Sequence, residues 1–384
     1  MFDRITETFR RFVRSEQAGG AMLLACVAIS LALTNGTGGA AYAAFWQTKL
    51  GSLSLLHWIN DGLMAVFFLL IGLELEREIY VGELSSVRSA LLPAIGALGG
   101  MAVPALIYGA FNAGLPTQDG FGIPMATDIA FALCVMALLG DRVPVALKVF
   151  LVAFAVMDDL GAILIIAIFY STSLSIGYLG GALGVWAGLI ALNRIFRVMA
   201  PWPYLIGGML LWALMLGSGV HATLAGVLLA FAIPFSGQDN EASPSHRVEH
   251  FLHKPVAFFV LPVFALANTA IVIDDGWRES LLGAGSLGIS AGLLLGKPLG
   301  VAGACLGARA MGLCRLPEGV TWLHLAGAGF LGGIGFTMSI FITDLAFPAA
   351  PGLVASAKMA VLWSSLVAGL VGYSWLRVTS ARRK

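Results

Sequence analysis

Long apolar runs almost without charge constrain this chain more than any other feature of its sequence. Of its 384 residues, 59% are hydrophobic and only 11% are charged, whereas soluble domains carry about 25% charged residues. So few charges cannot cover a water-exposed surface of this size, and the natural solvent of the chain is therefore the lipid bilayer. The net charge of +1 gives no reason to expect a nucleic-acid partner.

Twelve apolar segments approach the length of about 20 residues that a membrane-spanning helix needs. Numbered I to XII, they cover residues 18–34, 59–79, 91–112, 121–139, 146–170, 176–193, 203–217, 220–235, 254–273, 284–308, 322–346 and 353–376. The sequence therefore predicts an all-α integral membrane protein of about twelve transmembrane helices, forming a single transporter domain over residues 1–384. Segment I also resembles a cleaved signal peptide, but we expect it to be retained because it completes this topology.

The distribution of positive charge orients the segments. Cytoplasmic loops of membrane proteins are rich in Lys and Arg, and 18 of the 22 Lys and Arg residues lie on the face that holds both termini. Only Lys49 and Arg278 lie on the opposite face. Both termini are therefore predicted to be cytoplasmic.

The long outer loop covers residues 35–58. Its polar stretch over residues 48–54 either forms a small β-hairpin or is a plain connection. A hairpin would offer a strand edge that can pair with a second protomer. We therefore expect a homodimer.

Four ionisable side chains lie near the middle of apolar segments, where each costs about 2.5–3.5 kcal/mol to insert. They are Asp128 in segment IV, Asp158 and Asp159 in segment V, and Lys297 in segment X. Two adjacent carboxylates in a membrane cannot both ionise cheaply, so they hold protons unless a hard cation with oxygen ligands replaces them. Asp158 and Asp159 therefore indicate an antiporter site that takes either Na+ or protons, with Thr127 as a further oxygen ligand.

The remaining membrane charges have more than one interpretation. Lys297 is the natural partner of one of the two aspartates, either within the exchange chemistry or as a fixed pair that joins two helices. Asp61, near the outer end of segment II, either lines the cation path or starts its helix. Lys358 is expected to extend its amine to the membrane interface, and Asp344 is expected to be solvated.

Segments IV and XI carry helix-breaking residues at their centres. Segment IV has a proline shortly before Thr127 and Asp128, and segment XI contains Gly333 and Gly335. Interruptions in corresponding segments point to a transporter binding site. Segments III–V and X–XII have opposite orientations, which predicts an inverted repeat whose broken helices cross at the midplane, with the other helices forming an interface region. At the crossing, Asp128 would offset the positive helix ends and Lys297 the negative ones.

Other functions fit the sequence less well. An intramembrane protease would need a GxGD or HExxH motif, or a serine site with a third group, and none is found. Without such a motif we expect no enzyme, and we expect no cofactor beyond the transported ions. The four cysteines lack metal-binding spacing, and we expect no disulfide between them. A channel is disfavoured because titrating groups at a closed site suit occlusion. The nearest alternative is a sodium-coupled symporter of an organic anion, but the segments hold few polar residues beyond the ion site.

The chain closely resembles the NhaA-type Na+/H+ antiporters of bacteria at motifs that span almost its whole length. These motifs are WIND at residues 58–61, ATDIAFAL at 126–133, DDLGA at 158–162, SGVHATLAG at 218–226, GKPLG at 296–300 and GIGFTMSIF at 333–341. The resemblance implies that Asp158 and Asp159 bind Na+ or protons and that Lys297 pairs with Asp158. It places Thr127 and Asp128 where the broken helices cross. It also implies electrogenic exchange of Na+ or Li+ for protons, by alternating access, across the bacterial inner membrane for Na+ and pH homeostasis.

The resemblance further implies regulation by pH through a cytoplasmic cluster, for which solvated helix ends are the alternative interpretation. The matching residues here are Glu74, Arg77, Glu78, Glu249, His250 and His253. The sequence departs from the family at this cluster, where Glu76 and His246 stand in place of basic residues. These departures concern the pH profile rather than the transport chemistry. His221 is interpreted as a packed helix residue.

Overall fold

The computed structural model describes residues 2–171, 174–236, 243–273 and 276–380, and gives the backbone alone for residues 2–17 and Asp141. The described chain is predominantly helical, as expected of an all-α membrane protein. In chain order, the α-helices are α1 Phe2–Thr34, α2 Gly39–Gln47, α3 Leu55–His57, α4 Met64–Tyr80, α5 Val87–Asn112, α6 Ile129–Leu138, α7 Val145–Phe169, α8 Ile176–Arg194, α9 Trp202–Ser218, α10 Leu224–Ala230, α11 Pro244–Pro255, α12 Leu261–Asn268, α13 Trp277–Leu282, α14 Ala284–Ala291, α15 Lys297–Ala310, α16 Trp322–Gly332, α17 Phe336–Ala346 and α18 Pro351–Ser380.

Shorter elements connect these helices. The π-helical stretches Trp58–Leu63, Val256–Val260 and Gly292–Gly296 join α3 to α4, α11 to α12 and α14 to α15, and the 3-10 helices are Glu83–Ser85, Gln118–Met125 and Gly140–Arg142. Strands β1 (Lys49–Leu50) and β2 (Leu53–Ser54) form an antiparallel pair, with Lys49 opposite Ser54. The outer loop therefore contains a hairpin, which resolves the choice that the sequence left open.

Eight helical stretches in the described ranges are long and apolar enough to cross a membrane, so the chain is a multi-pass membrane protein. They are Leu55–Tyr80, Val87–Asn112, Gln118–Leu138, Val145–Phe169, Ile176–Arg194, Pro244–Asn268, Ala284–Ala310 and Pro351–Ser380. Two bent pairs bring the number up to ten, α1 with α2 at 114° and α16 with α17 at 49°. Segment VII is the shorter apolar helix α9, and segment VIII contains only the seven-residue α10. The count of twelve and the inverted repeat stay predictions.

Both predicted helix breaks are present. In segment IV the 3-10 helix Gln118–Met125 ends before α6 begins, so that residues 126–128 are not helical. In segment XI the break covers residues 333–335, between α16 and α17. Proline and glycine weaken a helix at these points, because proline lacks a backbone donor and glycine loses more entropy on ordering. We call the stretches 126–128 and 333–335 together the crossing.

The chain divides into two compact units. The first comprises residues 1–35, 86–162 and 271–384, and the second comprises residues 36–85 and 163–270. The first unit therefore contains both broken segments, the first part of α7, and the helices α14, α15 and α18. In the second unit, helices α4, α8, α9 and α10 enclose an apolar core that includes Leu73 and Tyr204.

Helices α5 and α15 pack backbone against backbone in the first unit. A Cβ on Gly99 would collide with the carbonyl of Gly300, and a Cβ on Gly300 would collide with the carbonyl of Gly99. Small residues at such contacts let membrane helices approach closely. Because α15 begins at Lys297, this contact fixes the position of that lysine along α5.

We expect Gly300→Ala to destabilise the protein by about 1–3 kcal/mol, because the added methyl group overpacks the contact between α5 and α15. Gly303→Ala is the matched control, since Gly303 lies on the same helix with open space around it. Thermal unfolding of the two purified variants in detergent measures the difference. Equal melting temperatures for both variants would contradict the close contact.

Candidate functional site

The two broken helices meet at the crossing. The backbone N–H of Asp128 donates to the carbonyl of Ile334 at 2.6 Å, and the hydroxyl of Thr127 donates to the carbonyl of Gly332 at 2.7 Å. Both Thr127 and Asp128 are buried. The unwound backbone thus finds hydrogen-bond partners in the opposite break, which is how irregular backbone is tolerated at membrane depth.

Glycines at the break in segment XI make this contact possible. A Cβ on Gly333 would collide with the carbonyl oxygen of Leu293. A Cβ on Gly335 would collide with the side chain of Ser339 and crowd the carbonyl oxygen of Ala126. Both glycines therefore allow the close approach of backbone segments at the crossing.

The carboxylate of Asp128 lies at the N-terminal ends of two helices. One oxygen accepts the backbone N–H of Phe131 at 3.1 Å, which caps α6. The other oxygen accepts the backbone N–H of Thr337, at the start of α17, and also the hydroxyl of Thr337. A negative charge at these two ends is favourable because helix N-termini carry partial positive charge and unpaired N–H groups. This is the arrangement that the sequence predicted for Asp128.

Replacing Thr337 with valine should remove the hydroxyl donor and destabilise the protein by about 1–3 kcal/mol, since the buried carboxylate of Asp128 then loses one of its hydrogen bonds. Thr343→Val is the matched control: Thr343 is equally buried on α17, but its hydroxyl bonds only to a carbonyl of its own helix, that of Ser339. We expect a loss below about 1 kcal/mol for the control. Melting curves in detergent would decide between them, and a control as damaging as Thr337→Val would count against the role of this contact.

Lys297 and Asp158 form a fully buried ion pair. The amine of Lys297 donates to both carboxylate oxygens of Asp158, at 2.8 and 2.7 Å, and to the hydroxyl of Thr127 at 3.0 Å. It also lies 5.5 Å from the centre of the Phe154 ring. The pair joins α7 to α15, and Thr127 connects it to the crossing. Through its hydrogen bond to Thr127, Lys297 links the ion pair to the break in segment IV.

Asp159 follows directly on α7 and is also buried. Adjacent residues on a helix point about 100° apart, so its carboxylate faces a different direction from that of Asp158. Lys297 is close enough to interact electrostatically with both aspartates. The structure therefore places two acids, one lysine and the Thr127 hydroxyl in one buried region of the first unit.

This arrangement offers oxygen ligands for a hard, dehydrated cation. Two carboxylates, a hydroxyl and unwound backbone carbonyls are present, and the lysine amine competes with a cation for the carboxylate of Asp158. Within the described part of the chain, no group of three or more His, Cys, Asp and Glu side chains could hold a resident metal ion.

Asp61 belongs to the second unit, in the π-helical stretch Trp58–Leu63. Its carboxylate lies 3.8 Å from Nδ1 of His221, and its carbonyl accepts the indole N–H of Trp212 at 2.9 Å. His221 lies in the non-helical connection between α9 and α10. The interpretation of His221 as a helix residue was therefore wrong. Helix α9 already ends at Ser218, and Gly219, two residues before His221, adopts a left-handed backbone conformation.

Four of the residues predicted for the cytoplasmic cluster lie together around Arg77 in the second unit, namely Glu74, Arg77, Glu78 and Glu249. The guanidinium of Arg77 lies 2.7 Å from the carboxylate of Glu249 and 3.5 Å from that of Glu78. Glu74 lies within electrostatic range of Arg77, and Nδ1 of His246 lies 3.6 Å from Glu249. Residues from α4 and α11 are thus brought together.

Two features of this region differ from the sequence interpretation. Glu76, treated there only as a departure from the family, is buried and accepts the hydroxyl of Ser245 at 3.1 Å. His250 is exposed and His253 is half-buried. The contact between Glu76 and Ser245 depends on how α11 packs on α4, and no sequence pattern signals it.

Lys358 and Asp344 correct two further expectations. The side chain of Lys358 is buried, and its amine lies 2.8 Å from Oδ1 of Asp344 on the neighbouring helix. Asp344 is therefore an ion-pair partner and is not simply solvated. The expectations failed because each was made from one segment alone, whereas the pair forms between α17 and α18.

Comparison with known proteins places this geometry in context. The family described as Na+/H+ antiporter 1 matches residues 10–376. A relative named Na(+)/H(+) antiporter NhaA, from Dechloromonas aromatica, is 59% identical over 374 residues, covering 97% of this chain and 96% of the relative. Proteins of the same name from Cytophaga hutchinsonii and Vibrio cholerae are 52% and 47% identical, over 98% and 99% of this chain and 96% and 100% of their own lengths.

Proposed function

Because the chain belongs to the Na+/H+ antiporter 1 family, we propose that it exchanges Na+ or Li+ on one side of a membrane for protons on the other. The relatives are named Na(+)/H(+) antiporters, and this chain matches them over nearly their full length. They therefore support exchange of bare cations over symport of an organic anion. The protein is accordingly a transporter rather than an enzyme.

The observation that carries the proposal is the buried pair of Lys297 and Asp158 beside Asp159. Charged groups are costly in a membrane and mark ion and proton pathways. A lysine that donates to both oxygens of a carboxylate can be displaced by a cation that takes the same oxygens. The site thus offers one set of oxygen atoms for which Na+, protons and the lysine amine compete.

In the exchange cycle, deprotonated Asp158 and Asp159 capture Na+ from the cytoplasm at alkaline pH. Thr127 and the carbonyls of the crossing replace water oxygens around the ion. Na+ capture breaks the contact between Lys297 and Asp158 and favours loss of a proton from the amine. The protein then opens to the outside, where protons displace Na+ and return the carrier to the inward-open form. Two carboxylates and one lysine can carry more than one proton for each Na+, which makes the exchange electrogenic.

Asp61 and the assembly of the protein complete the proposal. Asp61, half-buried beside His221, contributes a negative charge to the cation path.

The hairpin β1–β2 pairs two protomers into a homodimer, because the edge of a strand can pair with a strand of a second chain. The dimer lies in a bacterial inner membrane with both termini cytoplasmic, as the distribution of Lys and Arg indicates.

The Arg77 cluster regulates the exchange by pH. Opening of the ion pair between Arg77 and Glu249, which holds α4 to α11, would loosen the packing of these two helices. Because Glu76 is acidic and buried here, the pH profile of this protein is expected to differ from that of relatives with a basic residue in its place.

Everted membrane vesicles from a host without its own antiporters test the proposal. The vesicles are energised, a fluorescent dye reports their internal acidity, and Na+, Li+ or K+ is added at neutral to alkaline pH. We expect Na+ and Li+, but not K+, to collapse the proton gradient. The absence of a response to every cation at every pH would overturn the proposal and direct the search to organic anions.

A further inference from the structure

A second acid–lysine pair is buried in the same compact unit as the ion-binding site. The amine of Lys358 lies 2.8 Å from the carboxylate of Asp344, and the two side chains are only 8% and 22% exposed. Burying a pair of charges is costly and does not by itself stabilise a protein. Ionisable residues inside membrane segments therefore call for a functional explanation, and the exchange cycle above does not use these two.

Asp344 is aligned with the crossing along α17. It follows Thr337 by seven residues, so both side chains lie on one face of the helix, about 10 Å apart. Thr337 in turn contacts Asp128 at the crossing. The rise of α17 and the contacts of Asp344 with Lys358 and of Lys297 with Thr127 together give an estimate of roughly 10–20 Å between the amine of Lys358 and the pair of Lys297 and Asp158. Charges interact appreciably over such a distance inside a protein.

We infer that Asp344 masks the charge of Lys358 and thereby sets the Na+ affinity of the site, an inference that rests on the proposed exchange function. An unmasked amine at this distance would repel an incoming cation and weaken its binding roughly four- to fifteenfold at an effective dielectric constant of about 20. Salt in the medium screens this effect little because the pair is buried. Removal of both charges would leave the potential at the site nearly unchanged.

A pair that only tethers α17 to α18 would behave differently. Each single variant, and the double variant as well, would then lower the melting temperature and the maximal rate. The Na+ concentration at half-maximal rate would not move in opposite directions for the two single variants. The direction of that change therefore separates an electrostatic role from a tethering role.

The test is a charge series in everted vesicles, with exchange rates measured against Na+ concentration at alkaline pH, where protons compete least. Asp344→Asn removes the acid that pairs with Lys358 and is expected to raise the half-saturating Na+ concentration roughly four- to fifteenfold. Lys358→Met leaves the Asp344 carboxylate in excess and is expected to lower it. The double variant is expected to return to the wild-type value. If one single variant fails to insert, the other single variant, compared with the double variant, still gives the direction in which the half-saturating Na+ concentration changes.

Arg278→Gln is the matched control, because it also removes one positive charge, but from an exposed position where solvent screens it. We expect it to leave half-saturation unchanged. Half-saturation that is unaltered in all variants, or that moves in one direction in both single variants, would overturn the inference. Wild-type vesicles without any exchange would instead overturn the proposed function, so the two failures are distinguishable.

Discussion

Replacing Asp159 with asparagine is expected to abolish Na+-dependent proton exchange while the protein still inserts and folds. The amide keeps the shape of the side chain but removes a charged ligand from a buried site. Truncation of one partner of a buried charge pair weakens binding by roughly 2–5 kcal/mol, which corresponds to a loss of about thirtyfold or more in Na+ affinity. Vesicle assays of exchange, normalised to the amount of inserted protein, measure the effect.

Asp119→Asn is the control for this variant. Asp119 lies in the first turn of the 3-10 helix Gln118–Met125 and is exposed, so that its charge is solvated. We expect full exchange from it. Normal exchange by Asp159→Asn at low Na+ concentration would remove Asp159 from the mechanism.

The second large effect is expected on stability, from separating Lys297 and Asp158. Lys297→Ala leaves a carboxylate buried without the lysine that donates to both its oxygens, which should destabilise the protein by about 3–5 kcal/mol. The double variant Asp158→Asn/Lys297→Met removes both charges and should recover much of that loss. Exchange should remain absent in both, because the site has lost an acid or its competing amine.

Melting temperatures in detergent, measured beside the exchange rates, distinguish the two roles of the pair. Recovered stability without recovered transport in the double variant would show that the pair serves the chemistry as well as the structure. Recovered transport would contradict a direct role of either group. A double variant as unstable as Lys297→Ala would show that buried charge is not the cause of the destabilisation.

The crossing was predictable because its signals are local. A proline before Thr127 and Asp128, and glycines at positions 333 and 335, weaken helices wherever they stand. Asp128 could be assigned to helix ends because carboxylates are favourable there. The structure adds the contact partners, above all the N–H and hydroxyl of Thr337.

Features that depend on packing between distant segments were less accessible. Apolar composition alone suggested a full helix over segment VIII, whereas α10 has seven residues and non-helical residues precede it. Helix α2 was missed because its residues, although rich in alanine and aromatic side chains, lie in the stretch that the sequence assigned to the outer loop. The pairing of Lys358 with Asp344 was missed, because a lysine near a helix end usually extends to the interface unless a neighbouring helix supplies an acid.

The most direct test of the competition between Na+ and protons uses the purified protein in detergent. Na+ is added in weakly buffered solution from neutral to alkaline pH, and the protons released are measured with a pH-sensitive dye. We predict release of more than one proton for each Na+ bound, in a pH range where the site is still protonated, and no Na+-dependent release from Asp159→Asn. Na+ binding without proton release across this range would contradict a shared site.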